Sequence, residues 1–252
     1  MTASFYDQLA PYYHLLYADW ESAIVKQGSA LADLLRRSGV GPGQPVLDAA
    51  SGIGTQSIGL LTRGYVVTAS DISPKAIERL NEELSRRDLR ANTRVDDLLT
   101  LEHTRSESMA AVLACANSIP HLLSDAELLR SFKSCYRCLR PGGVAIFSVR
   151  DYAAIERKSP DVRPYGLRYD AGSRFLAVQV WEWHGDEYDL RVYLTSESSD
   201  GLCQTQVLKS RYYAVSIDRL LALMAEAGFD RIQRRDDVLF QPVLMGYRPS
   251  AA

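Results

Sequence analysis

"PVLDAASGIGTQSIGLL", residues 45–61, is the stretch that decides the fold. An apolar run ends at Asp48, small residues follow, the chain turns at Gly52 and Gly54, and a helix-like pattern begins. This order predicts a strand, a tight loop and a helix. In open α/β proteins, ligands that contain a nucleotide bind at such a loop. We therefore expect a nucleotide-type ligand beside the two glycines.

Strand-like and helix-like patterns alternate on both sides of this stretch, which favours a parallel sheet with crossover helices and an α/β fold. The helix after the second strand begins with a Ser cap and a Pro in its first turn. The sequence predicts helices at residues 22–37, 55–63, 73–87, 124–140 and 216–227, and strands at 45–50, 65–71, 91–97, 110–116, 143–149 and 243–248.

The pattern changes near Asp161. The segment 174–197 alternates like two antiparallel strands around an "HGDE" turn, and residues 204–215 predict a third strand. We interpret the chain as one α/β domain at 1–252, with an aromatic, helical lid at 1–37 and an antiparallel substrate cap inserted at 161–214. The cap aromatics either pack its two sides or cover a substrate, and the sequence leaves both interpretations open.

Composition narrows the class of protein. The 252 residues are 46% hydrophobic and 24% charged, and the net charge of −2 gives no electrostatic reason to expect a nucleic acid. The N-terminal residues lack the pattern of a secretory signal, and no apolar run approaches the roughly 20 residues that span a bilayer. We expect a cytoplasmic protein with neither a membrane nor a nucleic-acid partner, and homo-oligomer formation stays open.

The four cysteines include a Cys135–Cys138 pair in "CYRC". No second pair and no histidines at zinc-ligand spacing accompany it, so we predict no metal site. The surrounding segment is amphipathic, which favours packing of the pair against the sheet over a redox or zinc function.

The loop itself limits the choice of nucleotide. It lacks the long G-x-G-x-x-G fingerprint of dinucleotide-binding proteins and the G-K-[ST] of a P-loop. The first strand ends in Asp48, and the next strand ends in Asp71, whose carboxylate is placed to accept hydrogen bonds from a ribose diol. The two acids suit a nucleoside that carries a cationic group and no phosphate.

Three motifs resemble those of the class I S-adenosylmethionine (SAM) methyltransferases. "VLDAASGIG" (46–54) resembles their first motif, "VTASDIS" (67–73) their second, and "RVDDLL" (94–99) the loop that meets adenine. The resemblance implies a Rossmann-like sheet and SAM as cofactor, with S-adenosylhomocysteine as product. It also implies contacts to the methionine part of SAM from Ala50, Gly52 and Gly54, to the ribose from Asp71, and to adenine from Ile72, Asp97 and Leu98.

Four further segments look like the bacterial glycine/sarcosine N-methyltransferase branch. They are residues 5–28, "ACANSIPHLLSD" (114–125), "SVRDY" (148–152) and residues 212–229. One departure is Ala116, which stands where relatives often carry a polar or acidic residue. The resemblance therefore supports methyl transfer more firmly than it supports glycine as the acceptor.

Transfer to an amine needs alignment and desolvation rather than a metal or a side-chain nucleophile. Asn117 follows the fourth strand and is predicted to orient the attacking amine. His121 either faces the same pocket or packs the turn. Arg150 ends the fifth strand and, by the resemblance, is the preferred anchor for a substrate carboxylate; the alternative is a salt bridge to Asp151.

Aromatic residues supply the remaining candidates. Tyr6 and Trp20 are predicted on the cofactor side, where aromatic faces stabilise a sulfonium; Tyr13 and Tyr17 share this interpretation, and a helix-packing stripe is the alternative. Further substrate-side candidates are Tyr152, Tyr165, Arg168 and Tyr212.

The favoured function is a SAM-dependent methyltransferase that acts on the nitrogen of a small amine, such as an amino acid or a natural-product intermediate. One alternative is transfer to oxygen or carbon, with His121 as base. Another is a SAM-binding protein without turnover. The glycine spacing disfavours a nicotinamide dehydrogenase, and the absence of a basic, aromatic-interleaved segment disfavours nucleic-acid methylation.

Overall fold

The computed structural model describes residues 2–250. The predicted lid at 1–37 and the domain at 1–252 both include residues that lie outside this range, namely 1, 251 and 252. The helices are α1 (Thr2–Leu9), α2 (Trp20–Arg37), α3 (Thr55–Leu61), α4 (Pro74–Arg86), α5 (Asp125–Cys138) and α6 (Ile217–Glu226). Short 3₁₀ helices cover Ala10–Leu16, Ile119–His121 and Tyr152–Ala154.

Eleven strands form two sheets within the described residues. They are β1 (Pro45–Asp48), β2 (Val66–Asp71), β3 (Asn92–Val95), β4 (Met109–Ala114), β5 (Leu139–Ser148), β6 (Asp161–Asp170), β7 (Ser173–His184), β8 (Glu187–Glu197), β9 (Cys203–Tyr213), β10 (Asp230–Arg235) and β11 (Val243–Tyr247).

The larger sheet has seven strands in the order β10-β11-β5-β4-β1-β2-β3. Strands β1 to β5 pair in parallel, whereas β11 runs antiparallel to β5 and to β10. The chain leaves β1 in one direction for β2 and later returns on its other side as β4. This change of direction opens a crevice at the carboxyl end of β1, which is where open α/β sheets bind ligands. The predicted α/β sheet with crossover helices is confirmed.

Local signals explain where the helices begin. Asp19, Ser73, Ser124 and Ser216 are the N-caps of α2, α4, α5 and α6, and each side chain accepts a hydrogen bond from the backbone N–H three residues later. The CYRC pair lies on α5, where Cys135 and Cys138 are fully buried and burial raises the pKa of both thiols. The packing interpretation of the pair is confirmed.

The smaller sheet is an antiparallel meander, β6-β7-β8-β9. The HGDE turn is a two-residue hairpin, because His184 pairs with Glu187 around Gly185, which has a φ of 65°. The sheet packs one face against the α/β body with the buried rings of Trp181, Tyr188 and Tyr212. The predicted antiparallel cap insertion is confirmed.

Strand β6 was not predicted by the sequence pattern. Pro164 and Gly166 interrupt its alternation, and the register shifts between them. Such residues are tolerated at a sheet edge, and β6 is an edge strand. No helix among residues 2–250 is long and apolar enough to span a membrane.

Candidate cofactor and acceptor site

A cavity of about 220 Å³ lies at the carboxyl ends of β1 to β4. The loops after these strands form its floor, and the N-terminal segment covers it with Tyr6, Tyr13 and Tyr17. Seven of the ten predicted cofactor residues line it: Tyr6, Ala50, Gly52, Asp71, Ile72, Asp97 and Leu98.

The loop after β1 is tied directly to the end of β2. The Gly52 N–H donates to Oδ2 of Asp71 at 2.8 Å, and the Ser51 N–H donates to the carbonyl of Ser70 at 3.0 Å. Gly52 has a φ of 52°, and a Cβ built there would meet nothing within 4 Å, so its face toward the cavity is open. The glycine thus leaves room for a ligand beside the backbone.

Asp71 connects this loop to the start of α4. Its Oδ1 accepts the Ser73 N–H at 2.9 Å, while Oδ2 accepts Gly52. The side chain is nearly buried, and burial raises its pKa. Each carboxylate oxygen keeps a further acceptor position, and the carboxylate borders the cavity. The group is therefore oriented before any ligand arrives.

Asp97 and its neighbours form the opposite wall. The Oδ1 atom of Asp97 accepts the Leu99 N–H at 2.8 Å, which fixes the carboxylate, and Leu98 is buried beside it. Ile72 borders the cavity from the loop after β2. Two aliphatic side chains and one fixed carboxylate make a slot that can hold a flat, amino-bearing ring.

Three predicted cofactor residues lie behind the wall rather than in it. The indole N–H of Trp20 donates to Oγ1 of Thr55 at 2.8 Å, so Trp20 supports a lining residue. A Cβ on Gly54, which has a φ of 98°, would lie 2.3 Å from the Leu80 side chain, so this glycine is needed for packing against α4.

Asp48 is the third of these residues. It is fully buried, and its Oδ2 accepts the Ser57 hydroxyl at 2.6 Å. Burial and, more weakly, the nearby Asp71 carboxylate raise its pKa to about 6, against the hydrogen bond from Ser57, which lowers it. Asp48 lies under the loop and does not line the cavity.

Sequence reasoning missed Thr55 and Gln56, which line the cavity from the first turn of α3. Their position directly after the G-x-G turn was the available signal. Tyr13 and Tyr17 were considered only as members of an aromatic group, and both line the cavity.

His121 links the N-terminal segment to the cap. Its Nε2 lies 2.7 Å from the Tyr6 hydroxyl, its Nδ1 lies 3.3 Å from the Ser210 hydroxyl, and its ring centre is 4.0 Å from that of Tyr212. Burial, aided by the positive charge of Arg150, lowers its pKa to about 3. The imidazole is therefore neutral at pH 7, and it lines the cavity. His121 therefore occupies both predicted positions: it lines the pocket and it packs the turn.

The turn after β4 has an unusual backbone. Ala116 and Asn117 have φ values of 57° and 66°, a left-handed conformation that non-glycine residues seldom adopt. Ser148 at the end of β5 holds the turn, because its hydroxyl accepts the Ala116 N–H at 2.8 Å and its carbonyl accepts the Asn117 N–H at 3.0 Å. The geometry of the cavity wall thus depends on β5.

Both ends of the Asn117 amide are bonded to protein. Oδ1 accepts the Arg150 N–H at 2.9 Å, Nδ2 donates to the Tyr152 hydroxyl at 2.9 Å, and the side chain is 1% exposed. The Tyr152 hydroxyl lies 3.1 Å from that of Tyr188, a residue of the cap. The amide keeps one N–H and one lone pair, but the side chain is buried and does not line the cavity, so it is not placed to meet an acceptor directly.

The Arg150 guanidinium lies under the cap. It is 5.3 Å from the centre of the Trp181 ring. Among residues 2–250 it forms no salt bridge, and Asp151 is paired with Arg234 at 2.9 Å instead. The alternative salt bridge from Arg150 to Asp151 is therefore wrong.

The remaining substrate-side candidates surround this cation or brace the cap. Tyr212 stacks on Tyr188 with ring centres 5.2 Å apart, and the Tyr165 hydroxyl accepts a hydrogen bond from Gln179 at 2.6 Å. Arg168 donates to the backbone carbonyls of Tyr17, Tyr165 and Leu167. It ties the cap to the N-terminal segment and does not border the cavity.

Comparison with known proteins agrees with this geometry. A sequence model of the methyltransferase domain matches residues 46–143. The glycine/sarcosine N-methyltransferase of Parasynechococcus marenigrum is 28% identical over 85% of this chain and 72% of its own length. DesVI of Streptomyces venezuelae superimposes with a TM-score of 0.82 at 18% identity, covering 96% of this chain and 98% of its own.

The sugar N-methyltransferase KedS8 from Streptoalloteichus also shares the fold, with a TM-score of 0.77 at 17% identity over 90% of this chain and 88% of its own. The sheet order, the SAM motifs and these similarities agree. The protein is a class I SAM-dependent methyltransferase, and the predicted resemblance to the glycine/sarcosine N-methyltransferase branch is confirmed.

Proposed function

We propose that the protein transfers the methyl group of SAM to the nitrogen of a small amine that carries a carboxylate, such as an amino acid or a natural-product intermediate. The observation that supports this most is the Arg150 guanidinium, which lies against Trp181 and has no carboxylate partner among the described residues. An acceptor carboxylate would supply the missing charge with two parallel hydrogen bonds. The P. marenigrum relative and KedS8, named above, are both N-methyltransferases.

The cavity suits SAM, which supplies an electrophilic methyl group on a sulfonium when it is bound. Asp71 is fixed by two backbone N–H groups and has acceptor positions left for the ribose hydroxyls. The slot formed by Ile72, Asp97 and Leu98 would hold adenine. The tyrosines of the N-terminal segment would face the sulfonium and exclude water from it.

The acceptor side then acts by orientation. Arg150 would hold the carboxylate, and the amine would point from there toward the cavity past His121. An amine that arrives deprotonated needs no base in the protein, because alignment with the methyl group lowers the barrier. The neutral His121 avoids placing a second positive charge beside a sulfonium.

Asn117 has a different role in this proposal from the one predicted by sequence. Its amide holds the Arg150 backbone and the Tyr152 hydroxyl together, so it positions the carboxylate anchor. Asn is suited to the place because it tolerates a positive φ and offers one donor and one acceptor.

Transfer to oxygen or carbon, with His121 as base, receives less support. A group with a pKa of about 3 is a weak base at pH 7, and both of its nitrogens already have hydroxyl partners. The cytoplasmic location and the absence of a nucleic-acid partner stay predictions from the sequence.

Mass spectrometry of the purified protein with SAM tests the proposal. The acceptors are glycine, sarcosine, dimethylglycine, larger amino acids, amines that lack a carboxylate, and phenols. We expect S-adenosylhomocysteine together with a methylated amine, and faster turnover for acceptors that carry a carboxylate. Methylation of a phenol alone, or no preference for the carboxylate, would contradict it.

A further inference from the structure

The loop between β10 and β11 lies at the ligand-binding edge of the larger sheet. Strand β5 pairs in parallel with β4, so its carboxyl end lies at the same edge as the cavity. Strand β11 runs antiparallel to β5, and Val243 at its start pairs with Ser148 at the end of β5. The residues just before β11 therefore meet the carboxyl end of β5. We call residues 236–242 the bracing loop.

The bracing loop is bonded to the end of β5 at two points. The side-chain oxygen Oε1 of Gln241 accepts the Ser148 hydroxyl at 3.2 Å, and the Pro242 carbonyl accepts the Val149 N–H at 3.1 Å. Gln241 is 3% exposed and Ser148 is 1% exposed. Because water does not reach this pair, loss of the acceptor would leave a buried hydroxyl hydrogen without its partner.

The Ser148 hydroxyl depends on Gln241 for its orientation. Its single hydrogen is donated to Gln241, and its oxygen accepts the Ala116 N–H at 2.8 Å. The acceptor on Gln241 thus turns the lone pairs of the hydroxyl toward Ala116. Without that acceptor the hydroxyl is free to rotate, and its bond to the Ala116 N–H weakens.

The turn that Ser148 holds needs this support. Ala116 and Asn117 are consecutive residues with positive φ, and such a backbone persists only where its surroundings over-determine it. Ala116 and Ser118 line the cavity, while Asn117 accepts the backbone N–H of Arg150. A shift in the turn would therefore move both the cavity wall and the proposed carboxylate anchor.

We propose that Gln241 is a positioning residue for methyl transfer, which acts through the Ser148 hydroxyl to hold the turn at 116–118 and so orients the acceptor toward the methyl group. Gln241 does not line the cavity, so its effect must pass through Ser148. The effect on the acceptor rests on the proposed function, whereas the effect on the turn does not.

Gln241→Met tests this role, because methionine keeps the length of the side chain and removes the acceptor oxygen. Hydrogen exchange read by mass spectrometry should become roughly 10-fold faster in peptides that contain residues 116–118 and stay unchanged in peptides of residues 49–54. For an acceptor that the wild-type protein methylates, KM should rise roughly fivefold with a smaller change in kcat. The dissociation constant of SAM should change less than about threefold.

Three further variants separate positioning from a general loss of stability. Gln233→Met is the matched control, since Gln233 is exposed on β10, and it should behave like the wild-type protein. Gln241→Glu keeps an oxygen that accepts the Ser148 hydroxyl and should recover most of the slow exchange and of the low KM. In a Ser148→Ala background, Gln241→Met should add little, because both changes act through the same bond. Circular dichroism checks that every variant is folded.

Unchanged exchange at residues 116–118 in Gln241→Met would overturn the role of Gln241, as would an equal increase over all peptides. Additive effects of Gln241→Met and Ser148→Ala on KM or on exchange would also overturn it. If no acceptor is methylated, the proposed function fails, and the exchange measurement still decides whether Gln241 holds the turn.

Discussion

Two parts of the candidate site are built from different kinds of contact. On the cofactor side, short loops after β1, β2 and β3 arrange one another through backbone N–H groups, as between Gly52 and Asp71. Around Arg150, which does not line the cavity, side chains distant in sequence assemble, including Trp181 and Tyr188 from the cap. The loops at the cavity therefore need few specific side chains, whereas the surroundings of Arg150, the proposed carboxylate anchor, depend on the tertiary packing of many.

The largest effect is expected at Arg150, the proposed carboxylate anchor. Arg150→Met should lower kcat/KM for a carboxylate-bearing acceptor roughly 1000-fold, because a bidentate charge pair is lost. The dissociation constant of SAM, measured by calorimetry, should change less than about threefold. The kcat/KM of Arg150→Lys should lie between those of the wild-type protein and Arg150→Met.

Arg157→Met is the control for Arg150→Met. Arg157 also lies over a cap tryptophan, 5.1 Å from the Trp183 ring centre, and it pairs with Asp186 at the surface. The Arg157→Met substitution should leave acceptor turnover nearly unchanged. An equal loss with acceptors that lack a carboxylate would remove Arg150 from the anchor role.

The next effect tests the cofactor side. Asp71→Asn should raise the dissociation constant of SAM roughly 10- to 100-fold, because an amide cannot accept from both Gly52 and Ser73 and also from the ribose. Asp48→Asn, at a buried acid that does not border the cavity, should change it less than about threefold. If the two variants raised the dissociation constant of SAM equally, the assignment of Asp71 to the cofactor site and of Asp48 to the supporting structure would be wrong.

Asn117 separates positioning from direct contact. Asn117→Ala should raise the acceptor KM roughly 10-fold with a smaller change in kcat, and Asn117→Asp should recover part of the loss, since its carboxylate accepts from both Arg150 N–H and the Tyr152 hydroxyl. In an Arg150→Met background, Asn117→Ala should add little, because both changes act through the same anchor. Additive losses in this double-mutant cycle would favour direct contact with the acceptor.

The smallest effect is expected at His121. Its pKa in the folded protein lies below the ordinary value, at about 3, so the imidazole stays neutral throughout pH 5–9 and contributes no ionisation to kcat/KM there. His121→Gln should lower kcat less than about 5-fold and leave the shape of the pH profile unchanged. If kcat/KM of the wild-type protein instead changed with pH near 6–7, and this change were absent in His121→Gln, His121 would be identified as a base.

The site residues that the sequence could predict are those whose positions depend on local sequence patterns. Asp71, Asp97 and the Gly52 turn follow strand ends whose apolar patterns are plain in the sequence, and all lie at the cavity. The sequence could not show that Trp20 supports Thr55 from behind, because that depends on how α2 packs on α3. The lid and cap roles of residues 1–37 and 161–214 stay predictions.

Around Arg150, the position of the residue in the chain was predicted better than its contacts. Arg150 follows the end of β5, close to the predicted position, but the Trp181 and Tyr188 rings near it come from strands more than 30 residues later in the chain. Strand β6 was missed because proline and glycine hide its alternation, and the edge position that tolerates them is a property of the finished sheet.

The backbone at position 117 restricts how far this protein can vary. A residue there must tolerate a φ of 66° and must also offer both a donor and an acceptor at short reach. Glycine meets only the first condition, aspartate meets the first and half of the second, and valine and isoleucine meet neither. Libraries designed to change the acceptor range should therefore keep this position fixed and place their diversity at other residues.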